Sequence, residues 1–309
     1  MTSPVIKVSS ISFCKNFDLR QRLLKSFPNT VFTNSKENLS EKQLIDFYKD
    51  ADAILVGTEK ITHLVAENSQ HIQVLSKYGV GIDNIDFEAL KNYKIKVLLS
   101  SGTNKVSVAE LTLSFILGLL HNVFQKGFLL KKSIWQKNGG HQLYQKKVGI
   151  IGYGNVGQTL HQFLKPFDCQ IYVNDIKSLD QLSLKNNFII ATKKEVFKTC
   201  DIVTLHVPLD QSTKKIINKE NLKLMKPSAF LVNTARGNLI NINDLHYALS
   251  NNIIAGAALD VFPQEPPQNS KFLALENLMV TPHIGGNAKE AQWNMGIAAI
   301  EKLEQHFSL

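Results

Sequence analysis

Three glycines, Gly152, Gly154 and Gly157, stand between an apolar run and a segment with helical periodicity. The run from Val148 to Ile151 predicts a strand buried on both faces, because it is apolar and stops at a glycine. In a strand, turn and helix of this kind the glycines permit a tight turn, close approach of backbone amides to a pyrophosphate, and close helix packing. The spacing therefore predicts a dinucleotide-binding turn. Its residues are Gly152, Tyr153, Gly154, Asn155, Val156 and Gly157.

A carboxylate follows the next apolar run, which extends from Cys169 to Val173 and ends at Asp175. A carboxylate at this distance from the glycines hydrogen-bonds a ribose 2′-hydroxyl in dinucleotide-binding domains. It would repel a 2′-phosphate, so the sequence predicts NAD as cofactor in preference to NADP. A glycine-rich turn in an α/β domain without a nucleotide is the alternative interpretation.

Four polar residues lie just after apolar runs that predict strands: Arg236, Asp260, Glu265 and His283. Loops at the carboxyl ends of strands border the binding crevice of an open α/β sheet. A histidine carries protons near neutral pH, a neighbouring carboxylate holds its tautomer, and an arginine binds a substrate carboxylate and polarises the adjacent ketone. Each residue alone also fits a structural role, and their joint occurrence after a dinucleotide turn favours catalysis. We interpret His206, after another strand, as part of the site wall or a cofactor contact.

The elements that position these residues alternate between strand and helix patterns. Within the first hundred residues, five short apolar runs are separated by helix-length polar segments, which predicts one α/β domain with a parallel sheet. The alternation resumes after Asp175, and 288–307 predicts a helix. Between them, 106–124 is almost continuously apolar and predicts one helix buried on several sides, in a core or a subunit interface. A transmembrane span is disfavoured by Glu110, Ser114 and His121.

Length and composition limit the number of domains and the class of protein. A chain of 309 residues with 44% hydrophobic residues predicts about two domains with cores that need neither disulfides nor metals. The formal net charge of +9 is spread over scattered lysines, which argues against nucleic-acid binding, and no metal site is predicted. Three widely spaced cysteines and the lack of a long apolar stretch at the amino terminus predict a cytoplasmic protein that does not bind membranes.

Motifs across nearly the whole chain resemble the D-2-hydroxyacid dehydrogenase family, which includes phosphoglycerate, glycerate and D-lactate dehydrogenases. Besides the glycine turn, they are Tyr78-Gly79-Val80-Gly81-Ile82-Asp83-Asn84-Ile85-Asp86, Asn104 with Val108-Ala109-Glu110, His206-Val207-Pro208, Asn233-Thr234-Ala235-Arg236-Gly237, Ala258-Leu259-Asp260-Val261-Phe262 with Glu265-Pro266, and Thr281-Pro282-His283-Ile284-Gly285-Gly286. Their order along the chain is also that of the family.

The resemblance implies an α/β protein with two doubly wound parallel-sheet domains. A Rossmann NAD-binding domain at 104–286 would be inserted in a flavodoxin-like substrate domain formed by 1–103 and 287–309. Arg236, Glu265 and His283 would be the catalytic triad of a dehydrogenase that interconverts a D-2-hydroxy acid and its 2-keto acid. The segment 106–124 would lie in a homodimer interface.

The resemblance also implies contacts to the two ligands. Backbone amides near Gly79 to Gly81 would hold the substrate carboxylate, and Asp260 would bind the carboxamide of nicotinamide. The other substrate contacts would be Tyr78, Val80 and Asn104. The other cofactor contacts would be His206, Val207, Pro208, Thr213, Thr234, Ala235, Gly285 and Gly286.

Some residues depart from the family pattern. Gln142 and Gln145 stand where a glutamate and a glycine are common before the cofactor strand, which should affect a turn more than the chemistry. Val56 stands where phosphoglycerate dehydrogenases carry a phosphate-binding arginine, and Lys60 could substitute, so the substrate is 3-phosphoglycerate-like or another small 2-hydroxy acid. A cofactor-sensing interaction protein is the alternative function, because transcriptional corepressors resemble this family.

Overall fold

The computed structural model describes residues 3–308, which form two compact units. One unit contains the chain up to Asn104 and from Asn287 onward, and the other spans Lys105–Gly286. The sequence of the second unit is therefore inserted in that of the first. Met1, Thr2 and Leu309, which the domain prediction included at its ends, lie outside the described residues.

The first unit is built on a parallel five-stranded sheet in the order β2-β1-β3-β4-β5. Its strands are β1 Ile6–Val8, β2 Thr30–Phe32, β3 Ala53–Val56, β4 Val74–Lys77 and β5 Lys96–Leu98. Its helices before the insertion are α1 Ile11–Lys15, α2 Phe17–Ser26, α3 Glu41–Tyr48, α4 His63–Glu67 and α5 Phe87–Asn92. The apolar runs of β1, β3 and β4 are buried because helices cover both faces of the sheet.

The second unit is built on a parallel seven-stranded sheet in the order β12-β11-β10-β9-β6-β7-β8. Its strands are β6 Lys147–Ile151, β7 Gln170–Asn174, β8 Ile189–Ile190, β9 Ile202–Leu205, β10 Phe230–Asn233, β11 Gly256–Leu259 and β12 Leu278–Val280. Its helices are α6 Lys105–Leu120, α7 Val123–Lys131, α8 Asn155–Leu164, α9 Asp180–Asn186, α10 Lys193–Thr199, α11 Lys219–Leu224, α12 Ile242–Ser250 and α13 Ser270–Leu273. The last helix of the chain, α14 Lys289–Phe307, belongs to the first unit.

These strand orders confirm the predicted fold class. The order in which the chain adds strands reverses between β1 and β3 in the first sheet, and between β6 and β9 in the second. Such reversal points open a crevice at the carboxyl ends of the strands, where ligands bind in doubly wound folds. In the second sheet β6 and β9 pair in register, with Ile150 opposite Thr204. The glycine turn and His206 therefore follow neighbouring strands at one edge of the sheet.

The prediction of a single helix over 106–124 is wrong, because the chain breaks after Leu120. Asn122 has a left-handed backbone with φ of 54°, and α7 leaves at 66° to α6. The carbonyl of Leu120 accepts a hydrogen bond from the amide of His141 at 2.8 Å, so a later segment caps α6. Within residues 3–308 no single helix has the length and apolar content to cross a bilayer, whereas α6 and α7 meet these criteria when taken together as a bent pair.

Candidate active site

Close backbone packing requires glycine at two positions of the turn after β6. Gly152 has a φ of 97°, and a Cβ there would lie 2.6 Å from the carbonyl carbon of His206. A Cβ at Gly157 would lie 2.3 Å from the carbonyl oxygen of Gly152. By contrast, apart from its chain neighbours, no described residue has an atom within 4 Å of a Cβ built on Gly154, which immediately precedes α8. The open side of Gly154 and the uncapped amides of α8 fit a dinucleotide pyrophosphate.

Asp175 lies beside this turn. Its Oδ2 accepts a hydrogen bond from the amide of Tyr153 at 2.7 Å, and its Oδ1 accepts one from the amide of Lys177 at 3.0 Å. Each carboxylate oxygen can accept a further hydrogen bond. The carboxylate is therefore fixed in place while it retains capacity for ribose hydroxyls, which fits NAD.

The loop after β9 is held by its own side chains. His206 Nε2 lies 2.9 Å from Thr204 Oγ1, and burial lowers the pKa of His206 to about 3, so its ring is neutral at physiological pH. Thr213 Oγ1 donates to the carbonyl of Pro208 at 2.7 Å and accepts from the amide of Asp210 at 2.8 Å. These bonds fix a loop that borders the glycine turn.

Arg236 follows β10 in a loop held by Asn233. The buried Asn233 accepts a hydrogen bond from the amide of Ala235 at 3.0 Å and donates one to the carbonyl of Arg236 at 2.9 Å. Arg236 Nη1 donates to the carbonyl of Ala235 at 2.7 Å. Thr234 Oγ1 lies 2.8 Å from Thr112 Oγ1 on α6. The backbone that carries the guanidinium is thus anchored to both the sheet and a helix.

Asp260, at the end of β11, is completely buried and organises the next loop. Its Oδ1 accepts from Thr281 Oγ1 at 2.5 Å and from the amide of Ile284 at 2.8 Å, and its Oδ2 accepts from the amide of Gly285 at 2.8 Å. Both carboxylate oxygens therefore hold the loop that carries His283. In this structure Asp260 positions the loop, and its predicted contact with nicotinamide stays a prediction.

Glu265 and His283 form a side-chain pair. His283 Nδ1 lies 2.7 Å from Glu265 Oε2, and Glu265 Oε1 accepts a hydrogen bond from the amide of Phe262 at 3.0 Å. The carboxylate favours the tautomer with hydrogen on Nδ1, which leaves Nε2 to exchange a proton with a ligand. The side chains are 50% and 38% exposed, so this pair is accessible from solvent.

Adjacent strands bring these residues to one edge of the sheet. β10, β11 and β12 are neighbours, and Arg236, Asp260 and His283 follow their carboxyl ends in that order. This edge also carries the glycine turn, because all seven strands run parallel. Histidine, carboxylate and arginine at such an edge can transfer a proton and bind an anion next to a dinucleotide.

The predicted substrate-binding residues belong to the first unit. Gly79 has a φ of 113°, and no described atom lies within 4 Å of a Cβ built there. Tyr78 is buried against Phe13, with ring centroids 5.4 Å apart. Asn84 donates to the carbonyls of Gly57, at 3.1 Å, and Glu59. The open Gly79 turn follows β4, which pairs with β3, and Asn104 is the last residue of this unit before the insertion.

Two hydroxyl groups on α6 were missed by the sequence analysis. Ser107 Oγ donates to the carbonyl of Gly285 at 2.6 Å, and the buried Thr112 contacts Thr234. Both therefore fix loops of the candidate site. Polar residues within an otherwise apolar helix were a signal that could have indicated such a role.

Comparisons with known proteins agree with this geometry. Residues 113–285 match the family model for the D-isomer specific 2-hydroxyacid dehydrogenase, NAD binding domain. A D-3-phosphoglycerate dehydrogenase of Methanocaldococcus jannaschii is 37% identical over 272 residues, which is 86% of this chain and 52% of that protein. A hydroxypyruvate reductase of Thermotoga maritima is 34% identical over 275 residues, which is 87% of this chain and 89% of that protein.

The chain thus spans about half the length of the first relative and most of the second. Among solved structures, an acyclic imino acid reductase (Bsp5) in complex with NADPH and D-Arg shares the fold, with a TM-score of 0.89, 24% identity and coverage of 98% of this chain and 97% of that one. The predictions of the family, of NAD as cofactor and of an NAD-dependent dehydrogenase are confirmed. The chain belongs to the D-isomer specific 2-hydroxyacid dehydrogenase family.

Proposed function

We propose that this protein interconverts a small D-2-hydroxy acid and its 2-keto acid, with NAD as the hydride carrier. The observation that carries the proposal is the 2.7 Å contact between His283 Nδ1 and Glu265 Oε2. That pair lies on the sheet edge that also holds the glycine turn. A histidine paired with a carboxylate is suited to general acid–base catalysis.

Arg236, Glu265 and His283 have different roles in this proposal. Bound NAD supplies the hydride chemistry. In the reducing direction His283 Nε2 gives a proton to the ketone oxygen, and in the oxidising direction it takes the proton from the hydroxyl. Glu265 stabilises the imidazolium form, and Arg236 binds the substrate carboxylate and polarises the carbonyl.

The remaining ligand contacts are proposed from the motifs. The chain up to residue 103 and from 287 would bind the substrate, with its carboxylate on the amides of Gly79 to Gly81 beside Tyr78 and Asn104. Residues 104–286 would bind NAD, with the loops at 206–208, 234–235 and 285–286, together with Thr213, against the cofactor. The open Gly79 and Gly154 positions support close approach of a ligand to the backbone.

We propose an unphosphorylated substrate of about the size of hydroxypyruvate. Val56 is buried and uncharged at the end of β3, and the buried carboxylate of Glu59 lies in the same loop, 2.6 Å from the amide of Gly57. The buried Lys77 ammonium donates to the carbonyl of Gly57 in the same loop and carries the opposite charge, so the proposal rests on Val56, which offers no cation to a phosphate dianion. The similarity to the hydroxypyruvate reductase of Thermotoga maritima over most of both chains supports this choice.

The test is NADH oxidation by the purified protein with hydroxypyruvate, glyoxylate, pyruvate and 3-phosphohydroxypyruvate. We expect turnover with an unphosphorylated keto acid and a lower kcat/KM for 3-phosphohydroxypyruvate. Preference for the phosphorylated acid would refute the substrate proposal. Tight NADH binding without turnover of any 2-keto acid would instead favour the cofactor-sensing alternative.

We further propose that two copies of the chain pair through the segment around α6 and α7. The side chains of Phe124, Phe128, Leu130 and Trp135 are exposed within one short segment, and several large exposed apolar side chains close together in the chain are typical of subunit interfaces. Sedimentation analysis should give a dimer, and Phe128→Glu should shift it to a monomer. Phe17→Glu, at an exposed phenylalanine of the first unit, is the matched control.

A further inference from the structure

A buried cluster of three rings supports the glycine turn from behind. Tyr153, within the turn, is 4% exposed, and its hydroxyl oxygen lies 2.7 Å from His161 Nδ1 on α8. The ring of Phe188 packs 4.6 Å from the ring of Tyr153 and 5.9 Å from that of His161. The catalytic scheme uses none of these side chains for proton transfer, although two of them titrate.

Both titratable groups of this cluster are uncharged. Burial and the nearby Lys165 lower the pKa of His161, so its imidazole is neutral at physiological pH. Burial raises the pKa of Tyr153 to about 12, so its hydroxyl keeps its proton. The 2.7 Å contact is therefore a hydrogen bond between two neutral groups.

The backbone amide and carbonyl of Tyr153 are both hydrogen-bonded to side chains. Its amide donates to Asp175 Oδ2 at 2.7 Å, and its carbonyl accepts from Gln158 Nε2 at 2.9 Å. Its neighbours Gly152 and Gly154 have no side chains that could restrain the turn. The hydroxyl of Tyr153 is thus one point where the turn is bonded to the interior of the unit, and Asp175 is bonded to the same residue.

We propose that His161 is a positioning residue for the cofactor. Through its hydrogen bond with the hydroxyl of Tyr153, it holds the glycine turn and the Asp175 carboxylate in the arrangement that binds the pyrophosphate and ribose of NAD. His161 acts through Tyr153. The proposal concerns cofactor affinity and does not depend on which 2-hydroxy acid is the substrate.

The experiment measures the Kd for NADH by fluorescence titration, at a temperature well below the thermal transition of each variant. Loss of one neutral hydrogen bond should raise the Kd by about two- to tenfold in His161→Leu. Tyr153→Phe keeps the ring and removes only the hydroxyl, so it should give the same rise without disturbing packing. His161→Gln, whose side-chain amide can again bond the hydroxyl of Tyr153, should return the Kd close to that of the wild type.

A double variant and a matched control complete the design. Tyr153→Phe with His161→Leu should bind NADH no more weakly than either single variant, because both act on one bond. His141→Leu changes an exposed histidine of the same unit and should leave the Kd unchanged. An unaltered Kd in His161→Leu and Tyr153→Phe, even with lower thermal stability, would reduce the cluster to a packing role. Failure of His161→Gln to restore affinity, or additive effects in the double variant, would also overturn the proposal.

Discussion

Gly152 and His283 adopt left-handed backbone conformations just beyond strands of the same sheet, with φ of 97° and 54°. At Gly152 the backbone of the His206 loop leaves no room for a Cβ. At His283 a full imidazole is present, and it contacts Glu265. A non-glycine residue in this conformation costs about 1–2 kcal/mol. The cofactor turn thus uses glycine where no side chain is needed, whereas the His283 loop keeps a histidine despite its conformational cost.

The two regions also differ in how they are held. The glycine turn is fixed by buried contacts on several sides, which include Tyr153 and the His206 backbone. The His283 side chain is half exposed and rests on its contact with Glu265, while Asp260 fixes the backbone of its loop. Cofactor binding and proton transfer should therefore be separable by substitution.

The largest expected effect is the loss of turnover in His283→Ala. Removal of a general acid should lower kcat by about 10²–10⁴-fold, while the Kd for NADH stays that of the wild type, because the glycine turn is untouched. Steady-state kinetics with the best keto acid and NADH titration measure the two quantities. His141→Ala, at an exposed histidine, is the control. A His283→Ala protein with near-full activity would remove this residue from the mechanism.

The second largest expected effect is a change of cofactor preference in Asp175→Ala. In Asp175→Ala the ratio of kcat/KM with NADH to that with NADPH should fall by about one to two orders of magnitude, since a carboxylate no longer repels the 2′-phosphate. Asp180→Ala alters an exposed acid at the start of α9 and should leave the ratio unchanged. Equal efficiency with both cofactors in the wild-type protein would contradict the role of Asp175.

Gly154→Ala separates cofactor contact from packing. A Cβ at Gly154 meets no described atom within 4 Å, and the residue lacks a left-handed backbone, so the fold should tolerate alanine. The methyl group would occupy the space of a phosphate and raise the Kd for NADH by about tenfold or more, a change of about 1.4 kcal/mol. Gly139→Ala, another open position, is the control. Unchanged NADH binding in Gly154→Ala would place the pyrophosphate elsewhere.

The glycine turn and the strand ends could be predicted from sequence because their signals are local. Each apolar run stops at a polar or glycine residue, and the three glycines of the turn lie within the six residues 152–157. The pairing of Glu265 with His283 was predicted from their residue types and their positions after strands, and the family resemblance agreed, but their spacing gave no evidence of a contact. The pair spans 18 residues, and no periodicity links them.

Long-range contacts account for what the sequence analysis missed or got wrong. Ser107 and Thr112 meet their partners across 178 and 122 residues, so their spacing carries no signal. At the break after Leu120, the carbonyl of Leu120 is bonded by the amide of His141, a residue that comes after α7 in the chain. Apolar composition predicted helix on both sides of that break, and it could not reveal where another segment would cap α6.

The smallest expected effect concerns Gln145, which precedes β6 with φ of 59°. This is the position where the family commonly has glycine, and the left-handed backbone supplies the physical reason. Its amide bonds the carbonyl of Phe167, which any residue can do, and its side chain makes one exposed bond to Asp168. Gln145→Gly should relieve more strain than the added flexibility of the unfolded chain costs, and so raise the free energy of unfolding by about 0.5–1 kcal/mol.

Thermal denaturation of Gln145→Gly measures this change, with Gln142→Gly as the matched control. Gln142 is exposed and has a negative φ, so glycine there should leave Tm unchanged or lower it. A lower Tm in both variants would mean that Gln145 carries no strain. A higher Tm with an unaltered Kd for NADH would sharpen the contrast between Gly152 and His283: strain is relieved by glycine where the side chain is dispensable, and kept at His283 because its imidazole has a task.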